Sequence, residues 1–281
     1  MEVLSVEGLT KRYPTFTLDH VSFHIEPGEI MGLIGRNGAG KSTTLKSLNG
    51  FVHPDEGRVV YFGEEMRAGD PSFMQRVAFM TGGVDFYVRK KLKAITETTR
   101  GFYPRWDEAA YRRYMGMFEL DENKTPSQLS SGMKVKYALT LAMSRHAELL
   151  MLDEPTSGLD PISRDDLMDV FLQLQREGVA ILFSTHITSD LEKCADRITY
   201  IHEGRMMNSE PLDAFASRYR LVAQEVEPLD AYRPLLIGMK SAKCGYTALV
   251  TQENAALLGI PTQEATLDDV MVHLEKEHDR A

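Results

Sequence analysis

The eight residues "GRNGAGKS", Gly35 to Ser42, constrain the chain more than any other stretch. They follow a short apolar run, Ile30 to Ile34, and precede a helical pattern starting near Lys41, so strand, glycine-rich loop and helix occur in that order. Glycines at this spacing let backbone N–H groups converge on phosphate oxygens, and the helix N-terminus adds its positive dipole. In such a loop Lys41 reaches the β- and γ-phosphates and the Ser42 hydroxyl binds Mg²⁺.

A loop of this kind needs a sheet behind it. Three further apolar runs, "LLMLD" (149–153), "VAILFS" (179–184) and "RITYI" (197–201), have the continuous hydrophobicity of strands buried on both faces. Helical patterns separate them, as in a parallel α/β sheet. The segment "SRDDLMDVFLQLQREG" places Leu167, Val170, Phe171 and Leu174 on one face, with Pro161 in the first turn and Gly178 as the stop. It reads as a crossover helix. Residues 88–146 break the alternation: Tyr111, Tyr114, Met115 and Phe118 recur at helical spacing and no strand pattern appears, which predicts an inserted helical subdomain. That aromatic stripe reads as core before it reads as a cofactor site.

Past about residue 211 the pattern changes to extended "RLVAQEVEP" and "YTALVTQ" and a closing helix, "TLDDVMVHLEKEH". There Thr266 and Asp269 form a capping-box pair, and Leu267, Val270, Met271 and Leu274 share a face. The expected organisation is a nucleotide-binding domain over 1–210, with its helical part at about 88–146, and a small α+β accessory domain over 211–281.

Composition narrows the partners. The net charge of −9 over 281 residues repels phosphodiester backbones, so nucleic acid is not an expected partner. Two cysteines, Cys194 and Cys244, cannot build a disulfide framework and suit a reducing compartment. No window approaches the roughly 18 apolar residues of a membrane span, and the start "MEVLSVEGLTKRYP" lacks the apolar core of a signal peptide.

Four other stretches carry candidate chemistry. In "LLMLDEP" a buried strand delivers Asp153 to its carboxyl end, where ligands bind in open α/β sheets. Asp153 is a candidate for holding Mg²⁺ and Glu154 for polarising an attacking water, although an acid pair there could also cap the following helix. In "FSTH", His186 ends another strand, either as a structural histidine or as a donor to a γ-phosphate. "LSSGMK", Leu129 to Lys134, offers Ser130 as a helix cap and equally an anion site. "SGLD" brings Asp160 just ahead of the crossover helix.

Taken in order, "GRNGAGKST", "LSSGMK", "LLMLDEP", "SGLD" and "STH" resemble the ATP-binding cassette (ABC) family of ATPases over roughly residues 2–210. "LSSGMK" departs from the family's usual LSGGQ at Ser131 and Met133. The resemblance implies a P-loop NTPase core with a mixed, largely parallel sheet, ATP and Mg²⁺ as cofactors, and Mg²⁺-dependent hydrolysis. It implies Tyr13 as the aromatic that stacks on adenine. Gly35, Arg36, Asn37, Gly38, Ala39, Gly40, Lys41, Ser42 and Thr43 become the phosphate and metal contacts, with Ser42 and Asp153 at the Mg²⁺. Glu154 becomes the base, His186 the γ-phosphate sensor and Asp160 a residue of the dimer seam.

Ser130 and Gly132 would close in trans over ATP held by a second protomer, giving an isologous dimer with two composite sites. The details "FYPRWD" and "HITSDLEKCADRI" look closest to bacterial export-type cassettes. Such a chain works at the cytoplasmic face of the membrane against separate transmembrane permease subunits, with Phe86, Tyr87 and Tyr103 as either docking aromatics or core. The alternative is a soluble ABC ATPase acting on ribosomes or DNA. One family contact is missing: aligned on Val77 to Met80, Gly82 stands where a glutamine normally touches the Mg²⁺ site. Asp85 or a water is expected to fill that place, with Gly82 and Gly83 loosening the loop.

Overall fold

The computed structural model describes residues 1–67, 70, 72–81, 86–225, 232–259 and 261–279. The expectations placed on Gly82, Gly83 and Asp85 lie outside these residues.

Ten strands form one sheet: β1 (Leu4–Tyr13), β2 (Phe16–Ile25), β3 (Ile30–Ile34), β4 (Glu56–Tyr61), β5 (Glu64–Glu65), β6 (Val77–Thr81), β7 (Leu149–Asp153), β8 (Ala180–Thr185), β9 (Arg197–His202) and β10 (Arg205–Pro211). Their order across the sheet is β5-β4-β1-β2-β10-β9-β3-β8-β7-β6. β3 runs parallel to β8 and β9, and β7 parallel to β6 and β8, whereas β1 pairs antiparallel with β2 and β4. The sheet is therefore mixed, with a parallel block around β3. All five residues of β3 and all six of β8 are buried, as required of strands covered on both faces. Topology rather than local sequence brings the catalytic stretches together, because β8 lies between β3 and β7. Its register sets Ile34 opposite Thr185 and Asp153 opposite Ser184.

Helix α1 (Lys41–Leu48) leaves the loop after β3. The insertion between β6 and β7 contains α2 (Leu92–Arg100), α3 (Glu108–Met117) and α4 (Ser131–Met143), and no strand among its described residues. Asp107 starts α3: its carboxylate accepts the N–H groups of Ala109 and Ala110, and the Ala110 bond foremost holds its pKa below the usual range. The stripe predicted for α3 is core, with Tyr111, Tyr114, Met115 and Phe118 all buried. Buried hydroxyls tie the three helices together. Thr96 Oγ1 donates to Tyr111 Oη at 3.2 Å and lies 2.8 Å from Tyr137 Oη, which donates to the Leu92 carbonyl. Three satisfied hydroxyls in an apolar setting fix one packing of the insertion.

Crossover helix α5 (Pro161–Arg176) begins with proline at its first turn and buries Leu167, Met168, Phe171 and Leu174. Val170 is only half-buried, so the face is rotated slightly toward Met168. Helix α6 (Thr188–Cys194) follows β8.

Two compact units result, Met1–His186 with Lys193–Ser209, and Ile187–Glu192 with Glu210–Ala281. In the second, β11 (Tyr219–Gln224), β12 (Ile237–Ser241), β13 (Tyr246–Thr251) and β14 (Thr262–Glu264) form an antiparallel sheet ordered β12-β13-β11-β14. It also contains α7 (Leu212–Ser217), α8 (Gln252–Leu258) and α9 (Leu267–His278). The Thr266/Asp269 capping box at the start of α9 is formed on both sides. Leu267, Val270 and Met271 are buried as expected, while Leu274 is half-buried and His273 takes a place in the core, its Nδ1 2.7 Å from the Gly238 carbonyl. Residues 187–192 join this unit through polar contacts. Thr188 Oγ1 donates to Asp268 Oδ1 at 3.3 Å, and Glu192 Oε1 accepts the Leu267 N–H at 2.7 Å.

Candidate functional site

The loop from Gly35 to Gly40 turns from β3 into α1 on three glycines at positive φ, two of which leave little room for a side chain. A Cβ at Gly35 would lie 2.2 Å from the Ile201 carbonyl oxygen, and one at Gly40, at φ 118°, would meet Leu18 and Phe16 at 3.0 and 3.1 Å. Helix α1 has no side-chain cap and no acid in its first turn, so its leading N–H groups and dipole are left to an anion. Lys41 is buried, with Nζ donating to the carbonyls of Gly35 and Arg36 at 2.7 and 3.2 Å. The cation is therefore held inside the loop, within reach of incoming phosphate oxygens.

Across from the loop, β7 ends at Asp153. Ser42 Oγ donates to Asp153 Oδ1 at 3.0 Å, joining the first turn of α1 to the strand end. A hydroxyl and a carboxylate are hard oxygen donors, and the pair fits Mg²⁺. The next residue, Glu154, has a left-handed backbone at φ 51°, which turns its side chain back toward the loop. Its Oε1 lies 3.7 Å from Lys41 Nζ and its Oε2 lies 2.9 Å from His186 Nδ1. A carboxylate only accepts, so Nδ1 carries the proton in this pairing. The lysine, the two acids and the histidine expected from sequence thus form one cluster.

Tyr13 ends β1 and is 41% exposed, its ring centroid 6.4 Å from that of Phe16 and 6.0 Å from Lys11 Nζ. Phe16 packs over the loop at Gly40, a neighbour sequence reasoning did not single out. Ser130 caps α4, its Oγ accepting the Met133 N–H at 3.2 Å. Asp160 caps α5 by accepting the N–H groups of Ile162 and Ser163, and its pKa is held down chiefly by the Ser163 hydroxyl, 2.6 Å from Oδ2. A Cβ on Gly132 would lie 3.3 Å from Ser163 Cβ. Ser130, Gly132 and Asp160 therefore group around the starts of two adjacent helices, separately from the cluster at Lys41.

An acid held between a phosphate-loop lysine and a histidine, at the carboxyl ends of parallel strands, defines a P-loop ATPase. The chain belongs to the ABC transporter family, which matches residues 18–157. It is 31% identical to the ABC transporter ATP-binding protein YtrB of Bacillus subtilis over 203 residues, 72% of this chain and 69% of the relative. It is 30% identical to the bacitracin transport ATP-binding protein BcrA of Bacillus licheniformis over 223 residues, 78% of this chain and 72% of the relative. A fluoroquinolones export ATP-binding protein of Mycobacterium tuberculosis is 29% identical over 97% of this chain and 93% of its own length, which takes in the C-terminal residues. The solved structure of an ATP-binding subunit of an ABC transporter superposes with a TM-score of 0.68 at 30% identity, covering 76% of this chain and 91% of that one. The mixed sheet, helical insertion and small second sheet are those of an ABC ATPase. No helix among the described residues is long and apolar enough to cross a membrane.

Proposed function

We propose that the chain is the ATP-hydrolysing subunit of a bacterial ABC exporter, acting as a dimer at the cytoplasmic face of the membrane against separate transmembrane subunits. The observation that carries this is Glu154, fixed between Lys41 and His186 at the end of β7. On ATP binding Lys41 exchanges the Gly35 and Arg36 carbonyls for phosphate oxygens. Ser42 and Asp153 would hold Mg²⁺, which would supply neutralisation of the phosphate charge. Glu154 then orients a water and draws off its proton, and His186 meets the γ-phosphate.

The lone protomer lacks what its own fold sends elsewhere. Ser130 and Gly132, grouped with Asp160, present a helix N-terminus that would close over ATP in a second copy, so two chains make two complete sites. For the membrane partner, a groove of about 600 Å³ lined by Phe51, Phe79, Phe86, Tyr103 and Arg145 opens between the insertion and the sheet. Phe86 and Tyr87 are 53% and 63% exposed, and the Tyr103 ring has the Arg145 guanidinium 4.2 Å from its centre. A transmembrane subunit's cytoplasmic helix, with an apolar face, fits such a groove. The relatives are named as transport proteins, which supports this over ribosomes or DNA.

Glu154→Gln tests the reading. It should bind ATP, run as a dimer in size-exclusion chromatography and lose about 100-fold or more in hydrolysis, as expected on removing a general base. Wild-type turnover in this variant would end the proposal.

A further inference from the structure

The active-site cluster leaves one group without a role. Ser184, the next-to-last residue of strand β8, is completely buried, and its hydroxyl both donates to and accepts from the two acidic residues. Its Oγ donates to Asp153 Oδ1 at 2.7 Å and accepts the Glu154 N–H at 2.9 Å. Asp153 and Ser184 are register partners across β7 and β8, so the hydroxyl stitches the strand ends that carry Glu154 and His186. The Glu154 peptide is the one that needs holding. A non-glycine residue at φ 51° is strained, and such conformations persist where neighbours fix them. A peptide N–H bonded to a buried hydroxyl on the adjacent strand supplies that restraint.

We propose that Ser184 is a positioning residue for hydrolysis. It locks the Glu154 peptide in its left-handed conformation and fixes Asp153 Oδ1, the same oxygen that Ser42 contacts from the phosphate loop. The inference rests on the roles given above to Asp153 and Glu154. Its two hydrogen bonds predict two separable effects. Freeing the Glu154 peptide disperses the carboxylate from its place between Lys41 and His186 and lowers kcat. Releasing Asp153 weakens the response to Mg²⁺. Neither effect removes a group of the phosphate loop itself, and Lys41 keeps its bonds to the Gly35 and Arg36 carbonyls, so metal-free nucleotide binding stays the same.

Three variants test this: Ser184→Ala removes the hydroxyl, Ser184→Thr keeps it, and Glu154→Gln is measured in parallel. For each, the readouts are kcat for ATP, the Mg²⁺ concentration at half-maximal rate, the melting temperature, and the affinity for a fluorescent ATP analogue in EDTA and in Mg²⁺. Ser184→Ala should lose about 10- to 100-fold in kcat, the range set by breaking hydrogen bonds to buried charged or strained groups. Its affinity in EDTA should stay within about twofold of wild type, and the gain in affinity on adding Mg²⁺ should shrink. Ser184→Thr should recover most of both losses. An inactive Glu154→Gln beside a Ser184→Ala of wild-type kcat and Mg²⁺ response overturns the positioning role alone, whereas an active Glu154→Gln overturns the hydrolytic reading beneath it. Equal loss of melting temperature and of EDTA affinity in the alanine and threonine variants would make Ser184 a packing residue and also overturn the proposal.

Discussion

At the scale of single residues the site depends on backbone as much as on side chains. Gly35 is the sharpest case, since a methyl group there would lie 2.2 Å from the Ile201 carbonyl, against backbone that cannot swing aside. Gly35→Ala should therefore displace the loop and weaken ATP affinity by about tenfold or more while the far-ultraviolet circular dichroism is retained. A nucleotide titration checks it, and unchanged affinity would show that the loop tolerates the shift. Residue identity announced Lys41, Ser42, Asp153, Glu154 and His186, because each is a titrating or metal-binding group in a fixed order. Ser184 was passed over because serine at a strand end is common and its chemistry exists only once β7 and β8 are side by side. The signal that could have found it is position: Ser184 is the penultimate residue of the strand that leads into His186 and lies level with Asp153 on the neighbouring strand.

At the scale of elements, strands buried on both faces were legible, and among the others β11 and β13 read as extended while β1, β4, β12 and β14 did not. β3, β7, β8 and β9 read as unbroken apolar runs, but β1 alternates only in part. Its register shifts between Val6 and Leu9 and again before Lys11, around a Gly8 at φ 60°, so period-two reasoning loses step. β4 exposes its first three residues, β12 (IGMKS) carries a glycine and two exposed polar residues, and β14 has only three residues. Helices were clearer because caps mark their ends. Thr266 at the head of α9 accepts the Asp269 N–H at 3.1 Å while Asp269 Oδ2 accepts the Thr266 N–H at 3.0 Å. Thr266→Ala should cost the C-terminal unit about 1 kcal/mol, the usual worth of a cap. Urea unfolding followed in that unit would show it, and an unchanged midpoint would mean that packing of Val270 and Met271 alone sets the start of α9.

At the scale of the whole molecule, two charge clusters join elements distant in sequence, one at the starts of β6 and β7 and one between α3 and the end of α5, and both set a direction for pH. Arg76 makes a paired contact to Glu148, at 2.7 and 2.6 Å, and its hydrogen bond foremost holds the Glu148 pKa below the usual range. Glu177 accepts from Tyr114 Oη at 2.8 Å and Arg113 at 2.9 Å; burial pushes its pKa up, but these bonds win and the net shift is down. A carboxylate with a lowered folded pKa contributes stability that is whole above the unfolded value of about 4.3 and is lost as pH falls through the folded one. Against this, the net charge of −9 repels itself, and protonation relieves that repulsion as pH drops toward the isoelectric point near 5.4. The two effects act in different windows. The melting temperature should hold or rise slightly from about pH 7 to pH 5.4 and fall below about pH 4.5, where the paired carboxylates take up protons. Glu148→Gln separates them, because it removes one paired carboxylate and leaves the rest of the charge nearly intact. It should melt lower than wild type at pH 7, descend less steeply in acid and meet the wild-type curve near pH 3, whereas parallel curves across the whole range would show that Glu148 titrates alike in the folded and unfolded chain.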